Sequence, residues 1–557
     1  MKKQILIGTD SFEKIIEGNY FYIDKTLFIK ELLENRGAVT LLTRPRRFGK
    51  TMNMSMLRHF FDLNMDSKAL FDGLKIMEHK DIVDRYLNQY PVVFLTLKNV
   101  EEATCENAIG SIKNLISEIY QQYLYLYESD KLNERQKRLF YSLFLGEAPE
   151  LEIKSALKFL TECLYTYHKK RVIILLDEYD APINNALMNG YYKEMITFMR
   201  VFMGSVFKTN DYLEFGVLTG VQRISKESLV SGFNNPIVYG IMNRSFATCF
   251  GFTEEEVKDA CELYDLSDKY EDVKNWYDGY RFGDQDMYNP WSIVMYLKEN
   301  KFGDYWANTG SMDVLQDIFF KGTPALKDDI AGLLTGTPIK MQYDEHITYP
   351  VLYENDDIFW SMLLNTGYIK PCAGQTEDSF SAELVNREVK NIFAKYINLW
   401  FKRQQRAIHR TIREFVNYLL TGNAQGVSDT LNKELLNNPS CYDFKEENSY
   451  HMFLFGILLA VSGDYIVYSN PESGKGRSDC LIKPVDKEKY AVVVEFKHER
   501  DEPCDLKELA GKGLQQIEEK AYIHNLKREG YARIYKYGIA FHKKNCEVAM
   551  ENVSILF

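Results

Sequence analysis

Val39-Thr40-Leu41-Leu42-Thr43-Arg44-Pro45-Arg46-Arg47-Phe48-Gly49-Lys50-Thr51 decides the reading of the amino-terminal half. The first five residues are a short apolar run of the kind that makes a buried strand. A loop follows, and from Met52 to Phe61 the pattern is helical. A strand, a loop ending in Gly-Lys-Thr and a helix direct loop amides and a helix N-terminus at an anion. In such a loop Arg47, Phe48 and Gly49 wrap phosphate, Lys50 reaches the β- and γ-phosphates of ATP, and Thr51 ligates Mg²⁺. One departure is plain: Arg44 stands where the first glycine of G-x-x-x-x-G-K-[ST] falls.

A second stretch supports the first. Arg171-Val172-Ile173-Ile174-Leu175-Leu176-Asp177-Glu178 is a continuous apolar run ending in two acids. Such runs are expected for parallel strands covered by helices on both faces. Asp177 is expected in the Mg²⁺ shell, and Glu178 is placed to polarise the hydrolytic water. Phe215-Gly216-Val217-Leu218-Thr219 is a further strand, with Thr219 at its end as a sensor of the γ-phosphate. Arg223 has two readings of equal weight: stabilising transferred charge, or a structural salt bridge. Pro91 to Leu97 adds another strand, and Glu101 to Lys169 has a helical pattern that reads as an insertion.

The last part of the chain has its own chemistry. Gly476-Arg477-Ser478-Asp479 is followed, sixteen positions after the aspartate, by Glu495-Phe496-Lys497. Val492-Val493-Val494 leads into Glu495 as a buried strand, so Glu495 and Lys497, two apart, share a face. Cys480-Leu481-Ile482 can pair beside it, which brings Asp479 close. Two carboxylates suit a hard divalent cation such as Mg²⁺, and a lysine beside them can hold or activate a water. That set fits metal-assisted phosphodiester hydrolysis.

This constellation resembles the PD-(D/E)xK nuclease superfamily. The resemblance implies a restriction-endonuclease-like α/β domain with Asp479, Glu495 and Lys497 as catalytic residues and Asp479 and Glu495 as metal ligands. It also assigns Glu447, before the helical run Met452 to Val461, to a metal-site carboxylate position. Gln516, on a helix from Leu514 to Tyr522, is placed near substrate, and a final strand is expected at Tyr537 to Phe541. The amino-terminal pieces resemble a bacterial and archaeal family of AAA-ATPase-like proteins. The matching residues are Tyr22-Ile23-Asp24-Lys25-Thr26, the Arg44–Thr51 loop, Asp177-Glu178-Tyr179-Asp180-Ala181-Pro182 and Thr219-Gly220-Val221. In that family the Arg-Pro-Arg-Arg-Phe-Gly-Lys loop is itself the usual pattern, and a PD-(D/E)xK domain commonly ends the chain. The resemblance implies a P-loop NTPase of the ASCE/AAA-like kind, with ATP and Mg²⁺ as cofactors, fused to a nuclease-like domain.

Composition sets the remaining bounds. The chain has 557 residues, 45% hydrophobic and 26% charged, as expected of a globular protein with two or three domains. Expected boundaries are 1–250 for the ATPase, 251–370 for a mostly helical lid-like region, 371–437 for a helical linker and 438–557 for the nuclease-like domain. The nine cysteines form no zinc-spaced cluster, which suits reduced thiols in the cytoplasm. The longest apolar run is about half a membrane span, so no membrane partner is expected. The net charge of −11 leaves room for local basic patches. Arg403, Arg406, Arg410 and Arg413 recur at helical spacing, either as a solvated face or as a phosphate-tracking stripe. Trp276-Tyr277-Asp278-Gly279-Tyr280 reads better as a turn pinned by packed aromatics than as a platform for bases. Thr253 with Glu256 reads as a capping box. The leading expectation is a cytoplasmic, DNA-cleaving nuclease controlled by ATP. The rivals are a nucleotide-dependent switch that forms homo-oligomers and a non-catalytic nucleic-acid binder.

Overall fold

The structure, a computed structural model, describes residues 2–223, 236–306, 324–345, 355–372, 379–393, 395, 408–437, 465–469, 472–473, 476–499, 505–542 and 545–554. The described residues divide into two units. One is drawn from 2–306, 341–380 and 385–388; the other comes from 324–340, 381–384 and 389–554.

The first unit is built on a parallel sheet of β1 (Val39–Thr43), β2 (Val92–Thr96), β3 (Val172–Asp177), β4 (Leu213–Gly220) and β5 (Ile237–Tyr239). Its order is β2-β3-β4-β1-β5, and every pairing is parallel. β1 and β3 are buried along their whole length, which is why they read as unbroken apolar runs. β4 lies between them. The ends of β1 and β3 therefore sit two strands apart, with Thr219 and Gly220 of β4 in the gap.

The region after β5 is not purely helical. Phe252–Thr253, Tyr280–Phe282 and Gln285–Tyr288 form a small antiparallel sheet among the helices. A two-residue Gly283-Asp284 loop closes its hairpin, with Gly283 at φ +56°. The Thr253 capping box forms with Glu256 and starts the helix Glu254–Leu263.

The second unit carries a mixed sheet in the order β6 (Tyr465–Ser469), β7 (Cys480–Pro484), β8 (Ala491–His498), β9 (Arg533–His542) and β10 (Asn545–Ser554). Only β8 and β9 run parallel. Helices α2 (Ile408–Leu420) and α3 (Ala424–Asn437) are bonded to this sheet. Asn432 of α3 donates to and accepts from the main chain of Cys546 at 2.8 Å each way. Tyr537 donates to Leu419 O at 2.9 Å. Phe415, Leu419, Val427 and Leu431 are buried. Residues 408–437 were expected in a linker, but their apolar stripe has a sheet to cover, and they form part of this unit. Each such buried side chain is worth roughly 1.5–3 kcal/mol. We therefore expect a fragment starting at residue 408 to melt cooperatively by circular dichroism. One starting at Pro439 should melt far lower or aggregate, and equal melting of the two would show that α2 and α3 add nothing.

Candidate functional sites

The phosphate loop is shaped by backbone that few residues adopt. Gly49 caps α1 (Lys50–Phe61) at φ +82°, and Arg47 sits at φ +66°. Lys50 is 3% exposed. Its Nζ donates to Arg44 O at 3.2 Å and Pro45 O at 3.1 Å, and pairs with Glu178 Oε1 at 3.2 Å. The lysine therefore lies inside its own loop, directed at the acid that follows β3. Thr51 Oγ1 donates to Asp177 Oδ2 at 2.8 Å.

Asp177 is the hub of the site. It also accepts from Thr219 Oγ1 at 2.6 Å and Thr96 Oγ1 at 3.2 Å. Burial raises its pKa, with Glu178 adding to the shift and the Thr219 and Thr51 bonds opposing it. Glu178 takes a left-handed backbone, φ +52°, at a cost of order 1–3 kcal/mol. The residues after it hold that turn. Tyr179 N donates to Thr219 O at 3.0 Å, and Asp180 Oδ2 accepts from Val221 N and Gln222 N at 3.0 and 2.9 Å. Asp180 is buried, and burial pushes its carboxyl up to about 6. Gly220 must be glycine here, since a Cβ would lie 2.6 Å from the Tyr179 ring. In the sequence Asp180 is marked only as one more acid beyond a run that already ends in two.

Three expected nucleotide contacts have other jobs. Phe48 is buried, with its ring 4.9 Å from that of Tyr280 and 5.1 Å from that of Phe282. Only its main chain is left for phosphate. Arg223 is paired with Glu345, which favours the salt-bridge reading, and it does not line the cleft beside Lys50. Thr219 donates its hydroxyl proton to Asp177, so its link to a γ-phosphate would run through that carboxylate.

Arg44 explains the missing glycine. Its guanidinium is fully buried and donates to Thr43 O (2.8 Å), Tyr239 O (2.9 Å) and Phe246 O (2.8 Å). It also lies over the rings of Phe282 and Phe250 at 5.0 and 5.3 Å. Burial lowers its pKa to about 10, so it stays charged at neutral pH. The side chain turns away from phosphate and ties the loop to β5 and the Phe246 turn. Arg44→Gly, which restores the usual glycine, should destabilise the protein by roughly 3–5 kcal/mol, because three buried carbonyls lose a charged donor. The denaturant midpoint measures this, and an unchanged midpoint would contradict it.

A cleft of about 420 Å³ opens beside Lys50, Thr51 and Glu178. Part of its wall is apolar, from Ile5, Ile7, Phe21, Ile23, Trp291 and Val294, and charged groups including Asp10, Lys25, Arg46, Arg47, Lys98 and Glu101 line the rest. No motif pointed to Ile5 or Trp291, because they belong to the chain start and to a helix far along the sequence.

In the second unit, β7 and β8 bring the expected acids together. Asp479 Oδ2 accepts from Phe496 N at 2.6 Å, which ties the start of β7 to β8 between Glu495 and Lys497. Glu495 is 2% exposed, and its Oε1 takes Lys497 Nζ at 3.1 Å and a bond from Gln516 Nε2. Glu495 Oε2 is buried with no hydrogen-bond partner among the described residues. Gln516 rides on α4 (Leu506–Glu519), which starts earlier than the sequence suggested because Asp505 caps it. Gly513 and Gly538 let α4 approach the sheet: a Cβ on Gly538 would run into the Ala510 carbonyl. Tyr522 lies past the helix end, and its hydroxyl accepts from Gln516 at 3.3 Å. Glu447 and the run Met452 to Val461 lie outside the described residues, as do Arg403 and Arg406.

The donors fit a hard cation. Asp479 and Glu495 offer only oxygens, and Glu495 Oε2 is a buried ligand atom without a partner among the described residues. At the other site, Thr51 and Asp177 supply the hydroxyl and carboxylate that Mg²⁺ takes in a phosphate loop. Among the described residues no group of three or more His, Cys, Asp or Glu side chains is placed to hold a metal. Burial first, then Asp479, pushes the Glu495 carboxyl up to about 7, against the pull of Lys497. A raised carboxyl binds its proton more tightly in the folded state. Metal-free stability should therefore fall as pH rises from about 4.5 to about 7. Over the same window a divalent cation must displace that proton, so Mn²⁺ affinity should climb and then level off above about 7. Calorimetric titration at several pH values tests this, and Glu495→Gln should remove the rise.

The fold and these sites define a phosphate-loop ATPase-like unit and a nuclease-like unit in one chain. Residues 6–230 match the model of the AAA-ATPase-like family, described as a predicted AAA-ATPase, and residues 445–551 match that of the PD-(D/E)XK nuclease superfamily. A protein of Azotobacter chroococcum mcd 1, described as an uncharacterized protein in the vnfD 5′ region, is 26% identical over 562 residues and 98% of each chain. A structure of the Aeropyrum pernix ORC2 protein in ADPNP–ADP complexes covers 67% of this chain and 92% of that one. It has 12% identity and a TM-score of 0.22. Among the described residues no helix is long and apolar enough to cross a membrane.

Proposed function

We propose that this protein binds and hydrolyses ATP with Mg²⁺, and that nucleotide controls a metal-dependent nuclease acting on DNA. The observation that carries the reading is the Asp479–Glu495–Lys497 cluster with its unpartnered, buried Glu495 oxygen. A divalent cation held by Asp479 and Glu495 would polarise the scissile phosphate and lower the pKa of a water. Lys497, held by Glu495, orients that water and offsets charge on the phosphate. Gln516 donates to the same Glu495 oxygen that Lys497 holds, which leaves the other oxygen of the carboxylate for the metal. In the first unit, Lys50 follows the γ-phosphate, Thr51 and Asp177 hold Mg²⁺, and Glu178 takes the water's proton. The apolar walls of the cleft suit a nucleobase. The thiol pattern suits a cytoplasmic site of action.

The test is purified protein with Mg²⁺ or Mn²⁺ and a panel of single- and double-stranded DNA and RNA, with and without ATP. Cleavage of DNA, lost on chelation and changed by ATP, is the expected result. A second reading, the nucleotide-dependent switch, is favoured by one observation. Glu178 is engaged by Lys50 at 3.2 Å, which occupies the group that would take the water's proton. A single turnover followed by slow release would support the switch, whereas sustained turnover stimulated by DNA would support the leading reading.

A further inference from the structure

The aromatic segment Trp276-Tyr277-Asp278-Gly279-Tyr280 has no part in either chemistry above. In the structure it lies between the phosphate loop and a buried carboxyl. Tyr280 packs on Phe48 of the loop, with centroids 4.9 Å apart, and edge-on to Trp306 at 6.3 Å. On its other side, Asn386 Nδ2 donates to Tyr277 O at 3.2 Å, and Arg387 lies over the Trp276 ring at 4.4 Å. Gly279, at φ +123°, has no room for a Cβ because the Val385 carbonyl fills that position. The segment is thus a packed spacer, and the residues after Val385 are its far wall.

Glu388 follows in that wall and is fully buried. Its Oε1 accepts from Trp306 N at 2.5 Å, and its Oε2 accepts from Ser292 Oγ at 2.7 Å. Both donors lead back to the phosphate loop. Trp306 Nε1 donates to Arg46 O at 3.2 Å. Ser292 belongs to the helix Pro290–Glu299, whose cap Asn289 donates from Nδ2 to the same Arg46 O at 3.3 Å. Trp291, the second residue of that helix, lies under the Arg47 guanidinium at 4.8 Å. One carboxylate therefore holds the two elements that grip Arg46 and Arg47, immediately before Gly49 and Lys50. A buried carboxylate with two donors is costly to leave half-satisfied, so it fixes both elements relative to the loop.

We propose that Glu388 is a positioning residue for the phosphate loop, setting its conformation through Trp306 and the Asn289–Ser292 cap. Glu388 is also the last residue of the first unit before the chain enters the second at Val389. A change in the loop on binding nucleotide would be felt, along this path, at the residue where the chain leaves for the nuclease-like unit. The inference rests on the nucleotide-binding reading above.

The experiment uses the full chain with three variants and two readouts. Trp306→Phe keeps a smaller aromatic ring and removes the donor to Arg46 O. Glu388→Gln keeps one acceptor oxygen and Glu388→Ala keeps none. The first readout is amide hydrogen exchange of residues 45–49 without nucleotide. The second is the Kd of a fluorescent ATP analogue. Expected are faster exchange in the loop and a Kd raised about fivefold to tenfold in Trp306→Phe, equivalent to one lost hydrogen bond of about 1–1.4 kcal/mol. Glu388→Ala should show at least as large an effect, and Glu388→Gln should restore part of it. If Glu388→Ala does not fold, Trp306→Phe and Glu388→Gln still decide the matter. Loop exchange and Kd unchanged in both would overturn the proposal. If wild type binds no nucleotide, the nucleotide reading fails first, and the exchange readout alone judges whether Glu388 holds the loop.

Discussion

Asp479→Ala and Glu495→Ala are each expected to abolish metal-dependent cleavage, by at least about 10²–10³-fold, the range that follows loss of one group stabilising transition-state charge. The two should differ in what they leave behind. Asp479→Ala removes a ligand and also the acceptor that holds Phe496 N at 2.6 Å, so some loosening of β7 against β8 should accompany it. Glu495→Ala removes the acceptor of both Lys497 and Gln516. It should release Lys497 as well as the metal. Lys497→Ala should lower cleavage severely while metal binding is largely kept, since the lysine serves the water and the phosphate. Glu447→Ala should have a smaller effect, in keeping with a carboxylate acting through water. Calorimetric Mn²⁺ binding beside a cleavage assay separates these roles. Cleavage surviving in Asp479→Ala would move the active site elsewhere.

The second large effect belongs to the nucleotide. Lys50→Ala should abolish turnover and weaken ATP binding, because the charge that follows the γ-phosphate is gone. The structure adds a consequence: without Lys50, the loop carbonyls of Arg44 and Pro45 lose their common donor, so the empty loop should loosen as well. Glu178→Gln should bind ATP within about a factor of two to three of wild type and hydrolyse it at least about 10²-fold more slowly, the contribution usual for a general base. Wild-type hydrolysis by Glu178→Gln would show that another group polarises the water.

Much of this was legible from the sequence, for reasons particular to certain residues. β1 and β3 are buried on both faces, so their apolar runs stood out, and their chemistry sits at the strand ends where a linear motif can record it. Glu495 and Lys497 share a face by the period of a strand, and Asp479 needs only one adjacent pairing to join them. The Thr253–Glu256 capping box is equally local. What stayed hidden depends on contacts between distant segments. Arg44 stood out as a departure from the usual glycine, but its job was hidden because its three carbonyl partners, Thr43, Tyr239 and Phe246, are set by folding. The pairing of Arg223 with Glu345 and the grip of Trp306 on Arg46 span more than a hundred residues each. The small sheet after β5 was passed over although its Gly283-Asp284 loop was in view, because its strands are only two to four residues long. Helices α2 and α3 looked like a linker because an amphipathic stripe does not say which sheet it covers.

The central claim is that one chain couples a nucleotide site to a metal-dependent nuclease. The most direct measurement is the rate of DNA cleavage in Mg²⁺, with and without ATP, by wild type, Lys50→Ala and Asp479→Ala side by side. The account predicts cleavage by wild type that changes with ATP, cleavage by Lys50→Ala that ignores ATP, and none by Asp479→Ala. Cleavage by Asp479→Ala, an ATP effect that persists in Lys50→Ala, or no cleavage of any DNA by wild type would contradict it.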